Sequence, residues 1–167
     1  MEIRLLHPGD AEDYLNLRLE ALRLHPEAFG SSYEEECGDT PAKYEERFAG
    51  GNLFTYGVFA EGLLCGSATL VPATRHKLRH RAQIVAVYVS AGLRRRGAAR
   101  ALLAAVCGKA LELDNIEQLH LSVTSTNLSA VSLYESIGFE TYGEEKHALK
   151  IDGRYLDEKL MVRFLRS

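Results

Sequence analysis

At 167 residues, 46% of them apolar and 26% charged, the chain is long enough for one domain with a real core and ordinary for a globular protein. A formal net charge of −3 argues against a general binder of nucleic acid or of anionic membrane, since both reward a basic excess. No apolar run nears the ~20 residues that span a bilayer, no basic-then-apolar leader opens the chain, and Cys37, Cys65 and Cys107 form no Cys-x-x-Cys pair, so the expectation is a cytoplasmic protein with no metal site and no disulfide framework.

In chain order, residues 3–7 read as a strand. Pro8-Gly9-Asp10 breaks it, and Asp10 is placed to cap a helix from Ala11, where Tyr14, Leu17, Ala21 and Leu24 recur at helical spacing. Residues 25–39, with Pro26, Gly30 and Gly38, read as a broken helix or loop. Thr40-Pro41 supplies an N-cap and a first-turn proline for a short helix to about Ala49. Two strands, about 53–60 and 63–71, flank Glu61-Gly62 as a hairpin. Residues 72–80 are polar and basic, an exposed connection. Ile84 to Val89 is β-branched and apolar on both faces, the pattern of a buried central strand.

After the turn at 90–97 a helix runs to about Leu113, with Ala99, Leu102, Leu103, Val106, Ala110 and Leu113 on its apolar face. Leu119, Leu121 and Val123 alternate with His120, Ser122 and Thr124, a strand pattern. Ala130, Leu133, Tyr134 and Ile137 mark a helix capped near Asn127 and stopped at Gly138. Strands at 139–149 and 155–165 enclose the turn Ile151-Asp152-Gly153-Arg154. With no repeat or linker, residues 1–167 read as a single domain. The order predicts an α/β fold, a mixed sheet of about seven strands with helices on both faces.

The stretch from Val87 to Arg100 carries the clearest chemistry. A buried strand ends there, and a tight basic turn opens a helix whose first N–H groups point together toward the turn. That is an anion site, strengthened by the helix dipole. Gly97 lets a phosphate approach the backbone without a side chain in the way. Arg94, Arg95, Arg96 and Arg100 add local positive charge to an acidic chain. The turn either holds a compact polyanion such as a pyrophosphate, or is a solvated basic face. It is neither a Walker A loop nor a Gly-x-Gly-x-x-Gly fingerprint.

Arg94-x-x-Gly97-x-Ala99 between strand and helix resembles the Gln/Arg-x-x-Gly-x-Gly/Ala signature of the GNAT family of acyl-coenzyme A-dependent N-acyltransferases. Asn127-x-x-Ala130-x-x-Leu133-Tyr134-x-x-x-Gly138-Phe139 resembles the family's second cofactor segment. Pro26 to Ser32 and Leu149 to Tyr155 are similar to segments of small bacterial members known as generic acetyltransferases, which names no substrate.

The resemblance implies a GNAT fold, a twisted and mostly antiparallel sheet whose central strands splay apart. It implies acetyl-coenzyme A as cosubstrate, with the pyrophosphate on Arg94, Arg95, Arg96, Gly97, Ala98, Ala99 and Arg100. The pantetheine arm would lie between the strands at 84–89 and 119–124, along Val87, Tyr88 and Val89. Asn127 would cap its helix and also touch that arm. Tyr134 would be the general acid: a phenol of pKa ~10 stays protonated at neutral pH beside a thiol of pKa about 8.5.

The base is harder to place. Positions where many family members carry glutamate are Val85 and Ser122 here, and neither takes a proton usefully. An ordered water, Glu34, Glu35, Glu36, His80, His120 and His147 are the candidates. Ser90-Ala91-Gly92 also stands where a proline often follows the strand. The acceptor site is expected from 25–36 and the 143–155 hairpin, with Phe29, Tyr33 and Tyr155 as apolar walls and Glu34 attracting a cationic amine. A solvated acidic loop is the alternative for the glutamates.

Three functions compete. The first is acetylation of a small-molecule or protein amine. The second is a coenzyme A-binding module without robust catalysis, prompted by the missing base. The third is a nucleic-acid contact at the arginine turn, weakened because no aromatic residues interleave with it. A homodimer through the terminal strands is an expectation by analogy alone.

Overall fold

A computed structural model of the chain describes residues 1–166. Seven strands form one sheet in the order β1-β2-β3-β4-β5-β7-β6. They are β1 (Glu2–Leu5), β2 (Phe54–Ala60), β3 (Leu63–Pro72), β4 (Arg81–Val89), β5 (Gln118–Thr124), β6 (Glu140–Ile151) and β7 (Arg154–Phe164). Only β4 and β5 run parallel; every other pair is antiparallel. The helices are α1 (Ala11–Leu24), α2 (Tyr33–Glu36), α3 (Pro41–Gly50), α4 (Ala98–Glu112) and α5 (Leu128–Ser136). The expected mixed, mostly antiparallel GNAT-type sheet with helices on both faces is therefore present. No helix among the described residues is long and apolar enough to cross a membrane.

Alternation along the strands sorts the two faces. Val58, Leu70, Ile84, Leu119, Leu121 and Val123 form one core with Leu102, Leu103 and Val106 of α4. Leu102 and Leu103 are fully buried, and each contributes about 2 kcal/mol relative to an exposed position. Cys107 belongs to this buried face, although the apolar pattern assigned it no place. The opposite face takes α1 and α3, with Tyr14, Tyr44 and Phe48 packed edge to face. There Tyr88 of β4 sits against Leu17 and Ala21.

Two local expectations need correction. Asp10 precedes α1 but makes no side-chain cap bond. Its carboxylate instead takes two bonds from the Arg4 guanidinium, at 2.8 and 2.9 Å, and one from the His7 N–H at 2.8 Å. A charged bidentate donor outcompetes one helix N–H, and it holds the Asp10 carboxyl below its usual range. Val85, read as buried on a two-sided strand, is 40% exposed. The reason is that β4 has lost its neighbour at that point.

Candidate functional site

Strands β4 and β5 pair only from Arg81↔Gln118 to Gln83↔His120. Beyond that they part. The cause is visible in the pairing of β4 with β3: Ser67 faces Tyr88 and Thr69 faces Val85, so Ala86 and Val87 both stand against Ala68. The extra residue is a β-bulge that bends its strand. Ala86 absorbs it at φ 55, a left-handed conformation that costs an L-residue roughly 1–2 kcal/mol. The gap is a cavity of about 780 Å³, a size that takes a large ligand. Ile84, Leu121 and Val123 from the α4 side and Val85, Ser122 and Thr124 from the α1 side all line it. The cleft thus passes through the sheet.

One end of the cleft is an anion cradle. Gly97 is the N-cap of α4 at φ 80 and offers no capping side chain. The first N–H groups of α4 therefore have no partner within the helix. A Cβ built on Gly97 would meet no heavy atom within 4 Å, so the space before the helix is open. Arg94, Arg95, Gly97, Ala98, Ala99 and Arg100 line the cleft, whereas Arg96 does not. Arg94 is engaged by the protein: its Nε donates to the Val89 carbonyl at 3.0 Å, and its Nη2 lies 2.8 Å from His25 Nε2. Arg100 Nη2 donates to Ser136 Oγ at 2.8 Å, tying α4 to α5. Open donors in a positive turn fit the phosphates of a coenzyme.

The middle of the cleft meets α5. Asn127 caps this helix, accepting from the Ala130 N–H at 3.3 Å and from Ser129 Oγ at 3.2 Å. With its oxygen so used, its amide NH2 is left for a ligand. Tyr134 lines the same cavity with only 7% of its surface exposed. Its ring packs edge to face on Phe139, and burial pushes its phenol up to about 12. Val87 and Tyr88 also line the cleft. The Tyr88 hydroxyl donates to Glu20 Oε2 at 2.7 Å, and Ser90 Oγ donates to the same oxygen at 2.8 Å. Burial and that carboxylate push the Tyr88 phenol up to about 12.

The far end departs further from the sequence reading. Phe29 lines the cleft, but Tyr33, Glu34 and Tyr155 do not. Tyr155 stacks on His147, ring centroids 4.2 Å apart, along the β6–β7 hairpin. Glu36 is committed to a two-point bond with Arg18, both at 3.1 Å. Burial acts to raise its carboxyl, yet the Arg18 guanidinium holds it below the usual range. His120 Nε2 lies 2.6 Å from Gln118 Oε1, and burial together with the Arg81 charge lowers its pKa. His25 and Glu27 also line the cleft; they lie inside the 25–36 stretch expected at the acceptor site, although the sequence singles out neither side chain. His25-Pro26 signals a chain break, and nothing local shows that the turn folds back over β5, where Thr124 Oγ1 donates to the Glu27 carbonyl at 2.7 Å.

Comparison with known proteins agrees with this geometry. The GNAT acetyltransferase domain family matches residues 3–160. No curated protein sequence matches the chain. Among solved structures, a GNAT-family acetyltransferase from Streptococcus pneumoniae superposes with a TM-score of 0.90 at 22% identity, covering 98% of this chain and 99% of that one. The ribosomal-protein-alanine N-acetyltransferase of Brucella melitensis gives 0.82 at 24% identity over 99% and 100% of the two chains. The yncA protein of Salmonella typhimurium, solved with its cofactor acetyl-CoA, gives 0.83 at 22% identity over 100% and 95%. At such identities the structural likeness speaks for the fold, and the domain match extends over nearly the whole sequence. This chain, with its split sheet and glycine-capped α4, belongs to the GNAT acetyltransferase family.

Proposed function

We propose that the chain transfers an acetyl group from acetyl-CoA to a primary amine of a small molecule or protein. The observation that carries this reading is the cleft through the sheet, with an anion cradle at one end and a buried phenol in its wall. The cosubstrate supplies an acyl carbon activated as a thioester. The α4 N-terminus, Arg95 and Arg100 would hold its phosphates, and the strand edge from Val87 to Val89 would hold its arm by main-chain pairing. Asn127 would contribute its free amide NH2.

Tyr134 stands on the α4–α5 side, while Ser122, Thr124 and Phe29 stand on the α1 side. An amine entering from the α1 side would therefore add to the face of the thioester carbonyl turned away from Tyr134, and sulfur would leave as the tetrahedral adduct collapses. Tyr134 stays protonated throughout the neutral range and would donate to that sulfur as it gains charge.

The test is thiol release from acetyl-CoA against a panel of primary amines, with the acetylated product identified by mass. Turnover matched one to one by N-acetylated product supports the reading. Tight coenzyme A binding with no turnover on any amine would leave a binding module instead.

A further inference from the structure

We infer that Glu158 of β7 is the general base of the acceptor site, receiving the ammonium of a cationic amine and taking its proton. This rests on the acetyl-transfer reading proposed above. An amine attacks only through its free lone pair, and an aliphatic amine is an ammonium at neutral pH. A proton acceptor is needed on the side from which the amine enters.

The strand register identifies which side chains share that side. In an antiparallel pair, residues directly opposite project to the same face, with Cβ atoms about 5 Å apart. Thr124 belongs to the α1 face, because its hydroxyl reaches up to the Glu27 carbonyl of the turn lying over the sheet. Thr124 faces Glu158, and Ser122 faces Leu160. Thr124 and Ser122 both line the cleft. Glu158 is not itself in the cavity lining; it stands directly opposite one lining residue and diagonal to the other, a separation of about 7–8 Å that a glutamate side chain and one water can bridge. Ser122 is small, which leaves that space open.

Glu27, the carboxylate in the cavity lining, lies 3.6 Å from His25 Nδ1 and opens to solvent, and the other titratable groups near the cleft are already committed. Both Glu36 oxygens hold Arg18. Glu20 accepts from Tyr88 and Ser90. His120 is bonded to Gln118, and His25 to Arg94. Asp157 takes the His147 N–H and pairs with Lys146. Glu158 differs. Burial and the charge of Glu145 both raise its carboxyl, and no cation offsets them. The groups around it are Glu145 directly opposite on β6, Thr124 directly opposite and Ser122 diagonal on β5, and the Glu27 turn over Thr124; of these only Glu145 acts appreciably on its charge. A carboxylate kept short of a cation is what an incoming ammonium satisfies.

The proton count closes. The ammonium gives one proton to Glu158, which passes it to solvent. Nitrogen then bonds to the acyl carbon, the carbon–sulfur bond breaks, and sulfur takes a proton from Tyr134. The second proton lost from nitrogen balances the one Tyr134 must regain.

Glu158→Gln is the deciding variant, assayed with acetyl-CoA and an aliphatic amine that the wild type acetylates. Wild-type kcat/KM should be flat between the ionisation of Glu158 and that of the amine. In Glu158→Gln it should fall on the order of 10²-fold at neutral pH and climb tenfold per pH unit toward the amine pKa, since only free amine then reacts. An O-alkylhydroxylamine, already uncharged at neutral pH, should lose little rate. Glu145→Gln should keep its activity and move the acid limb to lower pH. Coenzyme A affinity should not change in either variant. A Glu158→Gln protein with wild-type rates and an unmoved pH profile overturns the base assignment alone. A wild type that binds coenzyme A and acetylates no amine overturns the acetyl-transfer reading, and the role of Glu158 with it.

Discussion

The two ends of the cleft are built by different means. The end proposed for the cofactor is made of main chain: the left-handed Gly97, the unpartnered N–H groups of α4, and the edge of β4 released by the bulge at Ala86. The end proposed for the acceptor is lined by side chains from separate elements, Phe29 and Glu27 beside α1 and Ser122 and Thr124 on β5, with Glu158 of β7 opposite Thr124. Main-chain geometry needs few particular residues, so that end tolerates wide sequence change. Side chains assembled from distant segments can be exchanged singly, so the acceptor end is where specificity can vary on a fixed frame. Variants at the two ends should then separate cofactor binding from turnover.

The largest effect is expected at Gly97. Gly97→Asp places a carboxylate where the space before α4 is open. At about 4 Å from a phosphate charge, repulsion costs about 4 kcal/mol at a surface-like effective dielectric. Coenzyme A should bind near a thousandfold more weakly by calorimetry. Undiminished binding would place the phosphates elsewhere and erase the contrast between the two ends.

Tyr134→Phe should act on chemistry and not on binding. Its ring packing on Phe139 survives, so folding and coenzyme A affinity should hold. Turnover should drop on the order of 10²-fold, about 3 kcal/mol of transition-state stabilisation. Burial has a pH signature. A raised phenol pKa keeps the donor protonated to higher pH, so no fall in wild-type rate should belong to Tyr134 until pH nears 12. A descending limb near the ordinary ~10 that disappears in the Phe variant would show a solvated phenol.

The turns and helix starts that frame the cleft were legible in the sequence, and the reason is locality. Gly97 and Ala99, or Asn127 and Tyr134, lie within one turn and its helix, where backbone rules act over a few residues. The bulge was not legible. Ile84 to Val89 carries the apolar pattern of a two-sided buried strand, but Ala86 takes φ 55 because it and Val87 are the two residues set against the single Ala68 in the bulge, and Val85 is exposed because β5 has moved away. Asp10 has the right chemistry for a cap, and Arg4 takes it. Glu158 looks like one more polar residue on an outer strand until its register with Thr124 is known.

A mid-sized effect should come from beneath the cofactor end. Gly66 of β3 faces Val89. A Cβ there would stand 2.8 Å from the Tyr88 carbonyl oxygen, 2.9 Å from Val58 Cγ1 and 3.2 Å from Val89 Cα. Two of those neighbours are main chain and cannot rotate away. Gly66→Ala should cost about 1–3 kcal/mol in a denaturant melt and weaken coenzyme A binding, because β4 is pushed toward the cleft. A neutral substitution would mean that β4 shifts freely, and that the cofactor edge is less rigid than its bulge implies.

The smallest effect is expected at the residues that charge alone would nominate for the acceptor end. Glu34, Glu35 and Glu36 run together in α2, and a cationic amine would be drawn to them in an unstructured loop. In the fold they part company. Glu36 is turned inward onto Arg18, while Glu34 and Glu35 are exposed to solvent and lie outside the cavity lining. Exposed charges beyond the ~8 Å screening length at physiological salt do little to a bound ligand. Glu34→Gln with Glu35→Gln should therefore leave KM for a cationic acceptor within about twofold at that ionic strength, with at most a modest slowing of association at low salt. Glu36→Gln belongs to a different class, since it strands the half-buried Arg18 guanidinium and should lower the melting temperature first. Steady-state KM for the double variant, measured at low and at physiological salt, is the check. A severalfold rise that persists at physiological salt would place the amine over α2, and would move the acceptor end from the β5–β7 face to the rim of the cleft.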